Sequence, residues 1–258
     1  MDLSLYSEDV FSRYKSASQR IRVLSERWFD DQMYCPACSS KTITRHPNNK
    51  PVLDFFCPDC GEQFQLKSQS KAFTGKVTDG AYKPMVEAFR TNTAPNFFFL
   101  HYSKENYSAL NLLLVPRFFL SESTIEKRNA LSADARRSGF VGCNILFKNI
   151  AQEGRIQVIE KSTELSHEAV RESWRKISFL KKSKPESKGW INDILWCINQ
   201  IGRTEFSLKE LSVFEGHLKE LHPDNNNIEA KIRQQLQFLR NKGYLNFVDN
   251  KGNYNLAR

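Results

Sequence analysis

Long apolar stretches are missing from this sequence. Runs such as FFFL (97–100) and LLLV (112–115) are a handful of residues long, against the roughly 20 that a membrane span requires, so a membrane-spanning protein is not expected. The opening MDLSLYSEDVFSRYK carries acidic residues and no apolar core region, which does not fit a secretory signal; a cytoplasmic setting is expected. Cysteine is sparse, with six in 258 residues, too few for the disulfide framework of a small secreted scaffold. There is no internal repeat and no low-complexity tract. No heptad pattern is found either, and with a single reader unit at the C-terminal end a monomer is expected.

What is present begins with charge. Lysine and arginine number 38 against 29 acids, a formal +9, which suits a polyanionic partner without identifying one. Four of the six cysteines form two C-x-x-C pairs, Cys35/Cys38 and Cys57/Cys60, separated by residues 39–56. That is the spacing of a four-thiolate zinc site, closed and structural, with no position left for substrate. A redox dithiol is the rival, although one pair would serve for it. His46 lies between the pairs as a spare ligand or a surface histidine, and Cys143 and Cys197 read as small buried hydrophobes.

Apolar residues at helical spacing across 8–30 predict helices ahead of the first cysteine pair. PNFFFLHYS and LNLLLVP read as buried strands whose aromatics serve the core. The cluster of Lys, Ser, Pro and Gly in 178–189 reads as a linker, with domains expected over 1–183 and 184–258. Beyond it, WINDILWCINQI and SLKELSVFEGHLKELH predict two helices, the second with a Ser207/Glu210 capping box. NIEAKIRQQLQFLRNKG predicts a third, running from Asn227 to Gly243, and YLNFVDNKGNYNLA a hairpin around Asn-Lys-Gly. Three helices and a hairpin describe a winged helix-turn-helix.

The stretch PVLDFFCPDCGEQFQLKS (51–68) places the second knuckle between two strand-like runs. Side chains alternate along a strand, so Gln65 and Lys67 share a face, and pairing through the knuckle brings Asp54 to the same edge. A carboxylate and a second oxygen donor suit a magnesium ion on a scissile phosphate, and the lysine can position or deprotonate water. The blander account is a polar strand end and an exposed lysine.

Asp54 with Gln65-Leu66-Lys67 resembles the signature of the PD-(D/E)XK nucleases, a mixed α/β fold. The embedded zinc knuckle narrows the likeness to the DpnI-like methyl-directed restriction endonucleases. The likeness extends through SQRIRVLSERW, YCPAC, DGAY, PNFFFL, ARRSGFVGCNI and KIRQQLQFLRNKG. It implies an endonuclease that cuts double-stranded DNA at GATC sites carrying N6-methyladenine, with a nuclease domain followed by a winged-helix reader. By position, Asp54 and Gln65 would hold magnesium together with the Leu66 carbonyl, and Lys67 would be the catalytic lysine. Gln65 departs from the acid of the family pattern, and Glu62, an odd number of residues away, faces the other side of the strand. A non-catalytic reader of methylated DNA with a degenerate nuclease core is the alternative.

For DNA reading, Ile232, Leu236 and Leu239 form the apolar face of the third C-terminal helix, leaving Ala230, Lys231, Arg233, Gln234 and Gln237 for a major groove. Arg136 and Arg137 ahead of Phe140 suit phosphate anchoring and insertion between bases, with a core phenylalanine beside surface arginines as the alternative. Lys181, Lys182, Lys184 and Lys188 are expected to add unspecific phosphate attraction.

Overall fold

Phe97 to Leu100 carry no exposed surface, because the strand that holds them is sandwiched within a sheet with both faces covered, the situation in which apolar runs replace alternation. The computed structural model describes residues 1–46, 54–249 and 252–257. Two helices lead in, α1 (Glu8–Arg13) and α2 (Ala17–Gln32). The strands β1 (Thr44–Arg45), β2 (Phe55–Phe56), β3 (Gln63–Gln69), β5 (Asn96–Tyr102), β6 (Ala109–Val115), β9 (Ile156–Glu160) and β10 (Thr163–Glu164) form one sheet in the order β1-β2-β3-β5-β6-β9-β10. The pairing of β3 with β5 is parallel and the others are antiparallel. A second sheet, β4-β8-β7, is built from β4 (Lys76–Ala81), β7 (Ile125–Ala130) and β8 (Val141–Leu146). The parallel crossover from β3 to β5 is filled by β4 and by α3 (Tyr82–Arg90). The architecture of this part is mixed α/β.

Helix α4 (His167–Ile177), capped by Ser166 Oγ on the Ala169 N–H at 3.2 Å, buries Val170, Trp174 and Ile177. The expected linker is not a loop. Residues Ser178–Lys182 form a 3₁₀ turn with Leu180 buried, and α5 starts at Pro185 and runs to Ile201. Proline is tolerated in a first helical turn, where its missing N–H has no partner to lose, and Lys188 and Gly189 lie buried inside the helix. The polar composition of this stretch marks a helix start.

The C-terminal part follows the expected order with two refinements. The second predicted helix is broken at Val213–Phe214 into α6 (Leu208–Ser212) and α7 (Glu215–Leu221). A third strand, β11 (Glu205–Ser207), joins the hairpin, giving the order β11-β13-β12 with β12 (Leu245–Phe247) and β13 (Asn253–Leu256). The Ser207/Glu210 capping box forms as predicted. Helix α8 (Ile228–Asn241) starts on Asn227, whose Oδ1 accepts the Ala230 N–H at 3.1 Å, and the chain leaves it at Gly243 with φ 71°. The expected turn residues Asn250 and Lys251, and the strand start Pro51 to Leu53, lie outside the described residues.

Candidate metal centre and candidate active site

The tip of the β2–β3 hairpin is the second knuckle. Gly61 sits at φ 72°, a left-handed conformation that glycine adopts without strain. It closes the turn by donating its N–H to Cys57 O at 3.0 Å, while the Cys57 N–H donates to Glu62 O at 2.9 Å. Across from it, the first knuckle is held by α4: Arg171 donates to Cys35 O at 3.2 Å and Ser40 O at 3.0 Å. The Sγ atoms of Cys35, Cys38, Cys57 and Cys60 all lie within 4.8 Å of one another, with Cys35–Cys60 and Cys38–Cys57 each at 3.6 Å. A tetrahedron of thiolates about 2.3 Å from zinc has edges of about 3.8 Å, so the four sulfurs fit the ion. Burial pushes the Cys35 thiol up and the Cys60 thiol up to about 11; a dication offsets that cost by favouring the thiolates. His46 is not a fifth ligand and not a surface residue. It is buried, stacked on Phe56 at 4.5 Å, with Nε2 2.5 Å from Gln63 Oε1.

Below the knuckle the hairpin register pairs Phe55 with Phe64 and Phe56 with Gln63. Continued by one position, it sets Asp54 opposite Gln65, on the face that Lys67 shares. The Asp54 N–H donates to Phe64 O at 3.2 Å, and Oδ2 accepts the Leu66 N–H at 3.0 Å. Burial raises the Asp54 carboxyl above its ordinary value, opposed by the Leu66 N–H and by the charge of Lys67. Arg22 and Glu26 of α2 also act on it, with opposite signs. Gln65 Oε1 is buried with no hydrogen-bond partner. Lys67 Nζ is paired with Asp79 Oδ1.

Asp79 is the residue that the sequence argument missed. Strand β4 turns Val77 and Asp79 inward and Lys76 and Thr78 outward, so an acid occupies a position where alternation would put a second apolar side chain. A bulge after Asp79, at Gly80, interrupts its pairing with β8, the irregularity that re-aims side chains beside functional sites. Its Oδ2 is buried without a partner. Two buried oxygens, Gln65 Oε1 and Asp79 Oδ2, thus lack partners, one two residues before Lys67 on its strand and the other on the acid that pairs with Lys67. Hard oxygen donors of mixed charge fit magnesium and not zinc.

Glu62 points away, as its parity requires. Burial alone would raise its carboxyl, but Lys181 and the Asn96 amide, donating at 2.9 Å, together with Arg117 leave it lowered. Lys181 is thereby occupied, and Lys188 is 4% exposed with Nζ donating to Asn92 Oδ1 at 2.7 Å. Of the four expected phosphate-attracting lysines, Lys181, Lys182 and Lys184 are exposed, Lys181 being paired with Glu62.

The structure buries Ile232, Leu236 and Leu239 of α8, and Gln235 with them. Ala230, Arg233, Gln234 and Gln237 are exposed, with Arg233 paired to Glu229 at 2.7 Å. Lys231 departs from that face: it packs over Trp190 at 5.6 Å and meets Glu186 at 3.7 Å, because its stem follows the apolar surface of α5. Arg136, Arg137 and Phe140 lie at the end of the β7–β8 hairpin. Arg137 covers the half-buried Phe140 ring at 3.9 Å and Arg136 is exposed. Phe140 is outside the buried core. Cys143 and Cys197 are buried, as expected. Among the described residues no helix is long and apolar enough to cross a membrane.

Two family models match the chain. The model of the DpnI, Dam-replacing family covers residues 1–183, and that of the Dam-replacing helix-turn-helix domain covers residues 186–256.

Proposed function

This chain belongs to the Dam-replacing family, whose membership implies DNA cleavage governed by methylation, and from that premise we propose that it is a metal-dependent restriction endonuclease cutting double-stranded DNA at GATC sites with N6-methyladenine. In this reading, residues 1–183 are a PD-(D/E)XK nuclease domain and 184–258 a winged-helix DNA reader. The observation that carries it is Lys67, paired with Asp79 and acting by its charge on the buried Asp54 carboxylate, with two buried oxygens, Gln65 Oε1 and Asp79 Oδ2, that have no hydrogen-bond partner.

Asp54, Gln65 and the Leu66 carbonyl would hold the magnesium, which when bound neutralises charge on the scissile phosphate and favours hydroxide over water. Asp54 is oriented by the Leu66 N–H. Asp79 fixes the Lys67 ammonium, which orients the attacking water toward phosphorus. The zinc thiolates stiffen the hairpin tip so that Asp54 and Gln65 stay opposed. The exposed Gln234, Gln237 and Arg233 of α8 suit adenine, guanine and phosphate edges, and exposed Ala230 leaves room for a methyl group. Arg136 and Arg137 suit phosphate contact, with Phe140 beneath Arg137 available to a base step.

The test is digestion with magnesium of matched plasmids with and without adenine methylation at GATC. Cleavage confined to the methylated plasmid is expected. The amide of Gln65 favours one rival, a non-catalytic reader. Retarded migration of methylated duplex with neither plasmid cut would establish that rival instead.

A further inference from the structure

A cavity of about 930 Å³ lies where the two matched segments meet. One wall is formed by the end of α3 and the 3₁₀ turns Arg117–Phe119 and Glu122–Thr124; the other is formed by the first turns of α5 and the end of α7. Lys188 lines it, 96% withdrawn from solvent at 4% exposure, with Asn92 Oδ1 at 2.7 Å as its hydrogen-bond partner. Burial and the like charge of Arg117 depress its ammonium to about 8.

Arg117 lines the same cavity and is itself only weakly matched. Its Nη1 donates to Asn92 O at 3.2 Å, and its Nη2 stands 3.9 Å from a Glu62 oxygen that Lys181 approaches more closely. Arg90 is paired with Glu122 at 2.8 Å and Glu186 with Lys231 at 3.7 Å, and the His222 ring nitrogen lies 2.8 Å from Asp193 Oδ2. Glu220 and Asp224 also line the cavity and are exposed. A buried ammonium beside a guanidinium is costly unless an anion joins them, and here the cavity gives an anion access to both.

We propose that this cavity is an oxyanion site, in which Lys188 and Arg117 together bind a phosphate group at the seam between the two segments. Planar guanidinium and compact ammonium are the pair of donors that phosphate oxygens accept most readily. The phosphate has two sources, a backbone phosphodiester of DNA lying across the seam or the phosphate of a free small molecule. Only the first depends on the function proposed above.

The experiment uses the full zinc-loaded chain and its Lys188→Met and Lys188→Arg variants. Melting is followed in inorganic phosphate and in chloride of equal ionic strength. Phosphate is expected to raise the Tm of the parent and of Lys188→Arg beyond chloride. Lys188→Met is expected to melt higher than the parent in chloride, because a buried charge has been removed, and to lose the phosphate increment. Equal phosphate increments in the parent and Lys188→Met would overturn the proposal. The salt dependence of binding to a GATC duplex without magnesium then assigns the source. A slope smaller by about 0.9 in Lys188→Met identifies a backbone phosphate, and an unchanged slope with the increment lost identifies a free ligand. Neither readout involves cleavage, so failure here and failure of the nuclease assignment are separate results.

Discussion

The β2–β3 hairpin carries two sets of metal-seeking side chains of opposite character. At its tip, four sulfurs close on one another within 4.8 Å, a soft donor set that fills every position of a tetrahedral ion. At its open end lie Asp54, Gln65 and Lys67, with Lys67 reaching the inward Asp79 of the second sheet, and Gln65 Oε1 and Asp79 Oδ2 have no hydrogen-bond partner. The tip is complete without substrate. The open end is not, and incompleteness is what chemistry on a phosphate requires, since water and phosphate must supply the remaining ligands. In the proposed function one hairpin would therefore hold one ion for rigidity and present its oxygens to another, and each perturbation should affect one end and spare the other.

The largest effect is expected at the tip. Cys57→Ser, or removal of zinc by a chelator, should lose the ion and about 4 kcal/mol of stability, roughly 10 °C in Tm, with cleavage lost as a consequence. Zinc analysis and calorimetry on one preparation check this. A zinc-free variant melting like the parent would end the idea that the tip holds the site together.

Asp54→Ala should act in the reverse sense. Cleavage is expected to fall by about 10³-fold or more, while zinc content stays at the parental value and Tm holds or rises, because a buried carboxyl that resists ionisation has been removed. Zinc loss in this variant would merge the two ends into a single metal site. Asp79→Asn is expected to be milder, about 10–100-fold in kcat. Duplex binding should be unchanged, since the substitution releases Lys67 without touching an exposed DNA-facing residue. A loss of binding instead of kcat would make Asp79 a DNA contact and not an orienting group.

The two ends also differed in how plainly the sequence displayed them. The tip was legible because ligand spacing is local: two C-x-x-C pairs need only turns to bring four sulfurs together. Asp54, Gln65 and Lys67 were legible because period two and a hairpin are enough to align them. Asp79 comes from a different sheet, and nothing in KVTDGA names its partner; the one available signal was an acid two residues from Val77 on an inward-facing strand position. The same limit applies to the 178–189 stretch, within which the two matched segments meet and which is a 3₁₀ turn and a helix start and not a loop. Its lysines, serines, proline and glycine have loop composition, yet Leu180 is buried and Lys188 is buried against Asn92, 96 residues away in the chain. Lys231 was assigned by helical face alone, and the Trp190 ring beside it decided otherwise.

The finest discrimination rests on Gln65. Its amide oxygen is buried and unpartnered, so Gln65→Glu changes charge at nearly constant shape. A carboxylate there should bind a dication more tightly by about 1.4 kcal/mol, lowering the half-saturating magnesium concentration by about tenfold. It also places a second negative charge opposite Asp54, whose carboxyl burial already raises. Like charges raise it further, so protons compete better with magnesium and the acid limb of the activity profile should move to higher pH. Zinc content should not change, since the tip is unaltered. If the magnesium dependence and the acid limb both stay where they are in the parent, Gln65 is not a ligand and the open end is smaller than drawn here. If cleavage appears only in the variant, the parent is a reader whose open end has lost one charge, and only the tip of the hairpin retains its metal.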